Sequence, residues 1–177
     1  MSLIEQVPRI ETRRLVLRAP GAQDIETIAA LANDIDIARM TTRMPHPYRR
    51  ADAEAFIARA QTVDPDREAV FVIEREGDGV VGALGLHPHG AYGPEIGYWI
   101  GRPFWGQGIA SEAACAAMDW ARQGWRRRVA TAGFFADNPA SGRVLERAGF
   151  LYTGEVQHRL SVARGETAPT RMMVWLA

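Results

Sequence analysis

Apolar and polar side chains alternate along RLVLRA (Arg14 to Ala19), the period of a half-buried strand. After Pro20 and Gly21 the period changes, and Ile25, Ile28, Ala29 and Ala32 in AQDIETIAALAND recur at helical spacing. The segment RMTTRMPHPYRR (Arg39 to Arg50) has no period and reads as an irregular connection able to shape a pocket, followed by a short helix around Ala51 to Ala60. AVFVIER and VVGALGLH, joined by the turn EGDG, predict an antiparallel hairpin. EIGYWIG (Glu95 to Gly101) is the next strand, with Gly97 marking a bulge or a close backbone approach. Helical spacing returns with Ile109, Ala113, Ala116, Ala117 and Trp120, ends near Gly124, and its small residues let the helix lie close to a sheet. RVATAGFFAD (Arg128 to Asp137) predicts a strand, NPASGRVLERAG a short helix capped by Asn138, and ARGETAPT the centre of a final strand pair. Strands mix with helices without an internal repeat, which predicts an α/β (α+β) mixed sheet with helices on its faces.

Composition narrows this. A chain of 177 residues, 47% of them apolar, suffices for one core, and a single domain over residues 1–177 is expected. No run approaches the length of a membrane span, and MSLIEQVPRIETRR lacks the apolar centre of a signal peptide, so a cytoplasmic protein that does not engage membrane is expected. The lone Cys115 excludes an internal disulfide and a cysteine-rich metal site. Twenty-one basic residues balance twenty-one acidic ones, leaving no excess of positive charge for nucleic acid. Every basic residue is arginine, so Met1 carries the only ordinary alkyl amine.

The stretch WGQGIASEA (Trp105 to Ala113) raises a question of chemistry. A strand entering a glycine loop and then a helix leaves backbone N–H groups of the first helical turn unpaired, a site for an anion such as phosphate. The alternative is a plain tight turn with a glycine at each bend. A nicotinamide dinucleotide would want GxGxxG or GxGxxA and an acidic residue roughly twenty positions later. Ser111 fills the third position and GWRRRVA has no acid, although Arg126 to Arg128 suit a 2′-phosphate. Coenzyme A is the other claimant.

EIGYWIGRPFWGQGIASEA followed by NPASGRVLERAGF resembles the acetyl-CoA-binding core of the GNAT superfamily of N-acetyltransferases. ETRRLVLRAPGAQDIETI resembles the opening of its RimJ/RimL branch, and the likeness runs from about Glu11 to Trp175. The resemblance implies a GNAT-like acyl-CoA N-acyltransferase fold, a central mostly antiparallel sheet flanked by helices. It implies direct transfer of an acetyl group from acetyl-CoA, the cosubstrate, to a primary amine, either a protein N-terminus or an amine-bearing small molecule. A homodimer is the family expectation. The cofactor-binding residues it implies are Trp99 and Ile100, exposing backbone groups to the pantetheine arm, and Gly106, Gln107, Gly108, Ile109, Ala110 and Ser111, wrapping the pyrophosphate. Asn138 and Ser141 would face the cofactor from the next helix. Leu145 departs from the family pattern, since many members carry there a tyrosine that reprotonates the leaving thiolate. Trp105 is usual in the branch.

The resemblance places Glu95 as general base, Ser141 as the nearest replacement acid, and a backbone N–H near Trp99 or Ile100 on the thioester oxygen. The acid matters less, because a thiol near the model value of about 8.5 leaves as thiolate with little help. His87 and His89 line the acceptor pocket or serve as an alternative base, or they are solvated turn histidines. Tyr98 and the Arg39 to Arg50 segment are candidate acceptor contacts, with no partner atoms in the sequence to fix them. Arg102, Arg143 and Arg147 either reach CoA phosphates or lie on the surface, and Trp105 and Trp125 are expected to pack the glycine helix. Cys115, beyond the phosphate loop, is not expected to form an acetyl-enzyme. No spaced His, Cys and carboxylate set argues for a metal. The rival from another class is a non-catalytic acyl-CoA-binding domain, favoured if Glu95 points away from the thioester.

Overall fold

The computed structural model describes residues 7–91 and 93–177, so the Met1 amine and the first six residues of the opening segment lie outside the described residues. Eight strands form one sheet: β1 Ile10–Glu11, β2 Leu15–Arg18, β3 Ala69–Arg75, β4 Gly79–His89, β5 Gly93–Ile100, β6 Val129–Phe135, β7 Leu151–Ser161 and β8 Glu166–Leu176. Their order across the sheet is β1-β2-β3-β4-β5-β6-β8-β7. Every neighbouring pair is antiparallel except β5 and β6, which are parallel. The helices are α1 Ile25–Ala32, α2 Ile35–Ala38, α3 Arg50–Ala60, α4 Ile109–Gln123 and α5 Pro139–Arg147. A mixed, mostly antiparallel sheet flanked by helices is the expected fold class.

Side-chain alternation divides the sheet into two differently clad faces. On one, α4 and α5 cover a core that includes Leu17, Phe71, Leu84, Leu86, Ile96, Ala132 and Met173. α4 approaches closely because Ala113, Ala114, Ala117 and Ala121 are fully buried on its inner side. On the other, α1 and α3 pack Ile28, Ala53 and Ile57 against Val72 and Val80, with Trp99 at the margin. Leu145 of α5 is 1% exposed, so its apolar side chain belongs to the first core, and truncating it to alanine would cost about 2–5 kcal/mol.

Some local features differ from the pattern read along the chain. The first helical stretch divides into a 3-10 turn at Ala22–Asp24, α1, and the separate short α2, because Asp34 caps a new turn by accepting the Asp36 N–H (2.9 Å). LHPHG is not a turn: β4 continues through His89 and pairs with β5 to its end. The register of β3 and β4 shifts between Ile73 and Glu74, a bulge that the EGDG turn does not announce. The final turn is Val162 to Gly165, and the ETAPT residues belong to β8. Among the described residues no helix is long and apolar enough to cross a membrane.

Candidate functional site

β5 and β6 pair only at Glu95–Thr131 and Ile96–Ala132. Beyond Ile96 the strands part, leaving the β6-facing edge of Gly97 to Ile100 without a strand partner. A strand edge with unpaired N–H and C=O groups seeks an extended partner. A cavity of about 1140 Å³ is lined from both sheet faces: by Tyr98, Ile109, Ser141 and Leu145 on the α4/α5 side, and by Gly85, His87, Glu95 and Arg159 on the other. The two halves meet at the split.

The α4/α5 half is built around the glycine loop. Gly106 (φ +73°) and Gly108 (φ +75°) occupy the left-handed region, and a Cβ at Gly106 would meet nothing within 4 Å, so backbone conformation alone requires that glycine. Gly108 is the N-cap of α4, and Glu112 N–H donates to its carbonyl (3.0 Å). The Ile109, Ala110 and Ser111 N–H groups ahead of it have no intrahelical acceptor and sit at the cavity wall. The helix end is held in place by Glu112, which accepts from Thr12 Oγ1 (2.7 Å) and Arg14 Nε (2.7 Å), while Arg14 Nη1 donates to the Gln107 carbonyl (3.0 Å). Burial works to raise the Glu112 carboxyl, and these bonds outweigh it and keep it below the usual range.

The Gln107 side chain turns away from the cavity, whereas its expected part in the cradle is played by its backbone N–H. The side chain accepts from Arg75 (2.6 Å) and donates to Pro103 O (3.1 Å), outside the residues that line the cavity. Trp105 departs from expectation: it is 45% exposed rather than packed on α4, and its Nε1 donates to Ile100 O (2.7 Å) beneath the Arg102 guanidinium. That bond claims the Ile100 carbonyl and ties the loop to the end of β5. Trp125 stacks on Trp120 of α4 (centroids 5.3 Å apart). Arg102 is engaged by Asp34 and Asp36, whereas Arg143 and Arg147 reach the cavity wall.

On α5, Asn138 caps the helix by accepting the Ser141 N–H (3.3 Å) and also lines the cavity. Tyr98 lies here, on the opposite sheet face from His87, with which it was expected to contact the acceptor. Its Oη is 2.8 Å from Ser141 Oγ and donates to Ser141 O (3.2 Å). Burial pushes the phenol up to about 12. With Leu145 in the core, the polar pair Tyr98–Ser141 stands where the cavity meets α5. Cys115 Sγ points at Arg147 O (3.4 Å), outside the cavity lining, and burial raises its thiol.

The α1/α3 half has a floor of glycines. Gly85 and Gly97 are register partners on β4 and β5, and Gly133 is on the same face of β6. A Cβ at Gly85 would fall 2.3 Å from His87 Nε2, so glycine there lets the imidazole lie flat on the sheet. A Cβ at Gly133 would fall 3.2 Å from Arg159 Nη1, whose side chain crosses the floor to Glu95. Above Gly97 a Cβ would touch nothing within 4 Å. Arg159 Nη1 donates to both Glu95 oxygens (2.8 and 2.9 Å), and His89 Nε2 stands 3.6 Å from Glu95 Oε2. His87 Nδ1 is 2.5 Å from Glu68 Oε1, which also accepts from Arg59 Nη2 (2.5 Å). Burial pushes the His87 imidazole below its usual value, and Glu68 only partly offsets this. Burial works to raise Glu68, but its bonds to His87 and Arg59 prevail and keep it below the usual carboxylate range. The loop between α2 and α3 roofs this half with Arg39 to Met44, tied down where Val162 N donates to Thr42 O (3.1 Å) and Arg164 Nε to Arg39 O (2.6 Å).

Glu68, Arg159, Gly85 and Gly133 were not singled out by sequence. The cross-strand position of Glu68 opposite His87 depends on the β3–β4 bulge, since counting back from the hairpin turn alone puts Glu68 opposite Leu86. Arg159 is 64 residues from Glu95, with no local motif linking them. Among the described residues no group of three His, Cys, Asp or Glu could hold a metal ion.

The sequence profile of the acetyltransferase (GNAT) domain matches residues 14–151, and the chain belongs to that family of acetyltransferases. Its fold is similar to a GNAT-family acetyltransferase from Bacillus anthracis (TM-score 0.82, 21% identity, 96% of this chain and 98% of that one). It is similar also to RimL, the ribosomal L7/L12 α-N-protein acetyltransferase solved with coenzyme A (TM-score 0.82, 19% identity, 96% and 98%). A third neighbour is the spermidine N-acetyltransferase of Vibrio cholerae, solved with CoA and spermine (TM-score 0.76, 20% identity, 93% and 96%).

Proposed function

We propose that this acetyltransferase moves the acetyl group of acetyl-CoA directly to a primary amine that carries a single positive charge. The observation that carries this is the cavity open to both sheet faces at the β5–β6 split. The donor enters on the α4/α5 side, where Gly106, Gly108 and the free N–H groups of α4 suit a pyrophosphate and Arg143 and Arg147 add positive charge. The open edge of β5 offers backbone partners to the pantetheine arm, and its N–H groups to the thioester oxygen. The acceptor enters over the glycine floor, beside His87 and Glu95. Tyr98 and Ser141 stand on the donor side as the source of a proton for the thiolate.

The charge on the acceptor wall supports one ammonium over several. Glu68 is engaged by Arg59 and His87, Glu95 by Arg159, Asp36 by Arg39 and Arg102, and Asp52 caps α3 by accepting the Arg49 N–H. Apart from Asp52, whose only named partner is that backbone N–H, a polyamine would have to displace these partners to find counter-charge, whereas a peptide N-terminus or a small monoamine would not. The test is acetyl-CoA turnover against peptides beginning with Ala, Ser or Met, small monoamines, aminoglycosides and spermidine. The expected result is turnover of α-amines or monoamines with spermidine among the poorest. Tight acetyl-CoA binding without turnover of any amine would make the chain a non-catalytic acyl-CoA-binding domain, and preference for NADPH over acetyl-CoA would refute the loop assignment.

A further inference from the structure

We infer that the neutral imidazole of His87, held by Glu68, is the base that takes the proton from the acceptor amine, the role that resemblance suggests for Glu95. The inference rests on the acetyl-transfer function proposed above and names the group that performs its first step.

Four observations converge on it. The Nδ1 of His87 is 2.5 Å from Glu68, a residue 8% exposed and ionised by its bonds to His87 and Arg59. An ionised carboxylate only accepts, so Nδ1 carries the proton and Nε2 keeps its lone pair. The ring lies over Gly85, where any Cβ would collide with Nε2 and Cε1. Gly85 faces Gly97 in register, across the roughly 5 Å that separates paired Cα atoms, and the space above Gly97 is open. The Nε2 lone pair therefore borders the empty position next to the split, where the attacking nitrogen must stand to meet a thioester entering from the other face. Glu95, by contrast, has a guanidinium nitrogen within 2.9 Å of both of its oxygens. One lone pair on each oxygen is directed to Arg159, and that ion pair makes Glu95 a positioning residue for the far wall.

The step balances without a further reactant. One proton passes from the ammonium to His87 Nε2, giving imidazolium beside the Glu68 carboxylate. The freed nitrogen lone pair forms the C–N bond, the C–S bond breaks with its electron pair going to sulfur, and the second amine proton ends on the thiolate. His87 then returns its proton to solvent. The groups facing His87 are Glu68, Arg59 of α3, Arg43 of the roofing loop, His89 of β4, Glu95 of β5 and Arg159 of β7. Of these, Glu68 works to raise the imidazole pKa, while Arg43 and Arg59 work to lower it.

The experiment has a structural arm and a kinetic one. Nitrogen-15 NMR of the whole protein at pH 8 should show His87 protonated at Nδ1, and a proton on Nε2 overturns the inference whatever the acceptor. His87→Ala should lower turnover at least about a hundredfold, the scale of a lost general base, with acetyl-CoA affinity within about threefold of wild type and partial rescue by added imidazole. His87→Gln serves where the alanine variant misfolds. Glu68→Gln should move the acid limb of the kcat profile to lower pH, because it removes the charge that holds the imidazole pKa up, and Glu95→Gln should leave that limb in place. Wild-type turnover in a folded His87 variant, or loss of the limb in Glu95→Gln alone, defeats the His87 assignment while acetyl transfer stands. If the wild type acetylates no amine, acetyl transfer itself falls, and the base with it.

Discussion

The two halves of the cavity are made of different materials. The donor side is mostly backbone: two left-handed glycines, the free N–H groups at the start of α4, and the open edge of β5. The acceptor side is mostly side chains laid across glycines, His87 over Gly85 and Arg159 over Gly133, each fixed by a carboxylate from a distant part of the chain. Backbone sites depend on local conformation, so they tolerate changes in side chain but not in φ. Side-chain sites depend on register and on charge partners. Substitutions should therefore separate into those that affect acetyl-CoA and those that affect only the amine.

The largest effect is expected on the donor side. Gly108→Val forces a branched residue to φ +75°, at a cost of about 2 kcal/mol or more, although its Cβ would meet nothing closer than Arg14 Nη2 at 3.5 Å. The loop relieves that strain by leaving the conformation that presents the N–H groups. Acetyl-CoA affinity measured by calorimetry should fall about a hundredfold, with the melting temperature lowered by only about 5 °C. Affinity within threefold of wild type would mean that Gly108 only closes a turn.

Legibility in the sequence follows the same division. WGQGIASEA places its glycines and helix start within nine consecutive residues, and NPASGRVLERAG carries its own cap, so local pattern suffices for both. The strands were readable as well, because alternation survives whatever the register. Register itself was not: the β3–β4 bulge that sets Glu68 beside His87 leaves no mark in composition or period. The direction of the Gln107 side chain is illegible for a related reason, since its partners Arg75 and Pro103 are a matter of tertiary packing. Glu95 lines the cavity, and its partner Arg159, 64 residues away, leaves no local signal beside it.

A smaller effect should mark the acceptor side. Gly97→Val puts a side chain into open space on a strand, where a β-branched residue is well tolerated, so the fold should be at least as stable as wild type. That side chain occupies the position assigned to the amine, and kcat/KM for the acceptor should fall about tenfold or more while acetyl-CoA affinity stays within threefold. An equal loss in both would show that the two halves are not separable at the split.

Tyr98→Phe tests where the halves touch. It removes one hydroxyl from the Tyr98–Ser141 pair and should cost about 1 kcal/mol of stability, the usual worth of a hydrogen bond. Turnover should drop less than tenfold, because a thiolate leaves without much help. A drop of a hundredfold or more would make the pair an obligatory acid, and the donor side would then depend on side chains as heavily as the acceptor side does.

The smallest effects should appear in stability against pH, and the two halves should respond at opposite ends of the scale. His87 has a folded-state pKa below its unfolded value of about 6.5, so its contribution is complete above that pH and is lost as the pH falls through the folded value. Glu68 is depressed from about 4.3 and behaves in the same way further into acid. Tyr98 is raised to about 12, so its contribution is complete below the unfolded value of about 10 and is lost as the pH rises through the folded one. Each single titration can tilt stability by at most about 1.4 kcal/mol per pH unit. Chemical denaturation from pH 4 to 11 should therefore show His87→Gln flattening the slope just below pH 6.5 and leaving the alkaline limb unchanged, and Tyr98→Phe doing the reverse. If either variant flattened both limbs, the Tyr98–Ser141 and Glu68–His87 pairs would be coupled through the split, and donor and acceptor sides would have to be treated as one electrostatic unit.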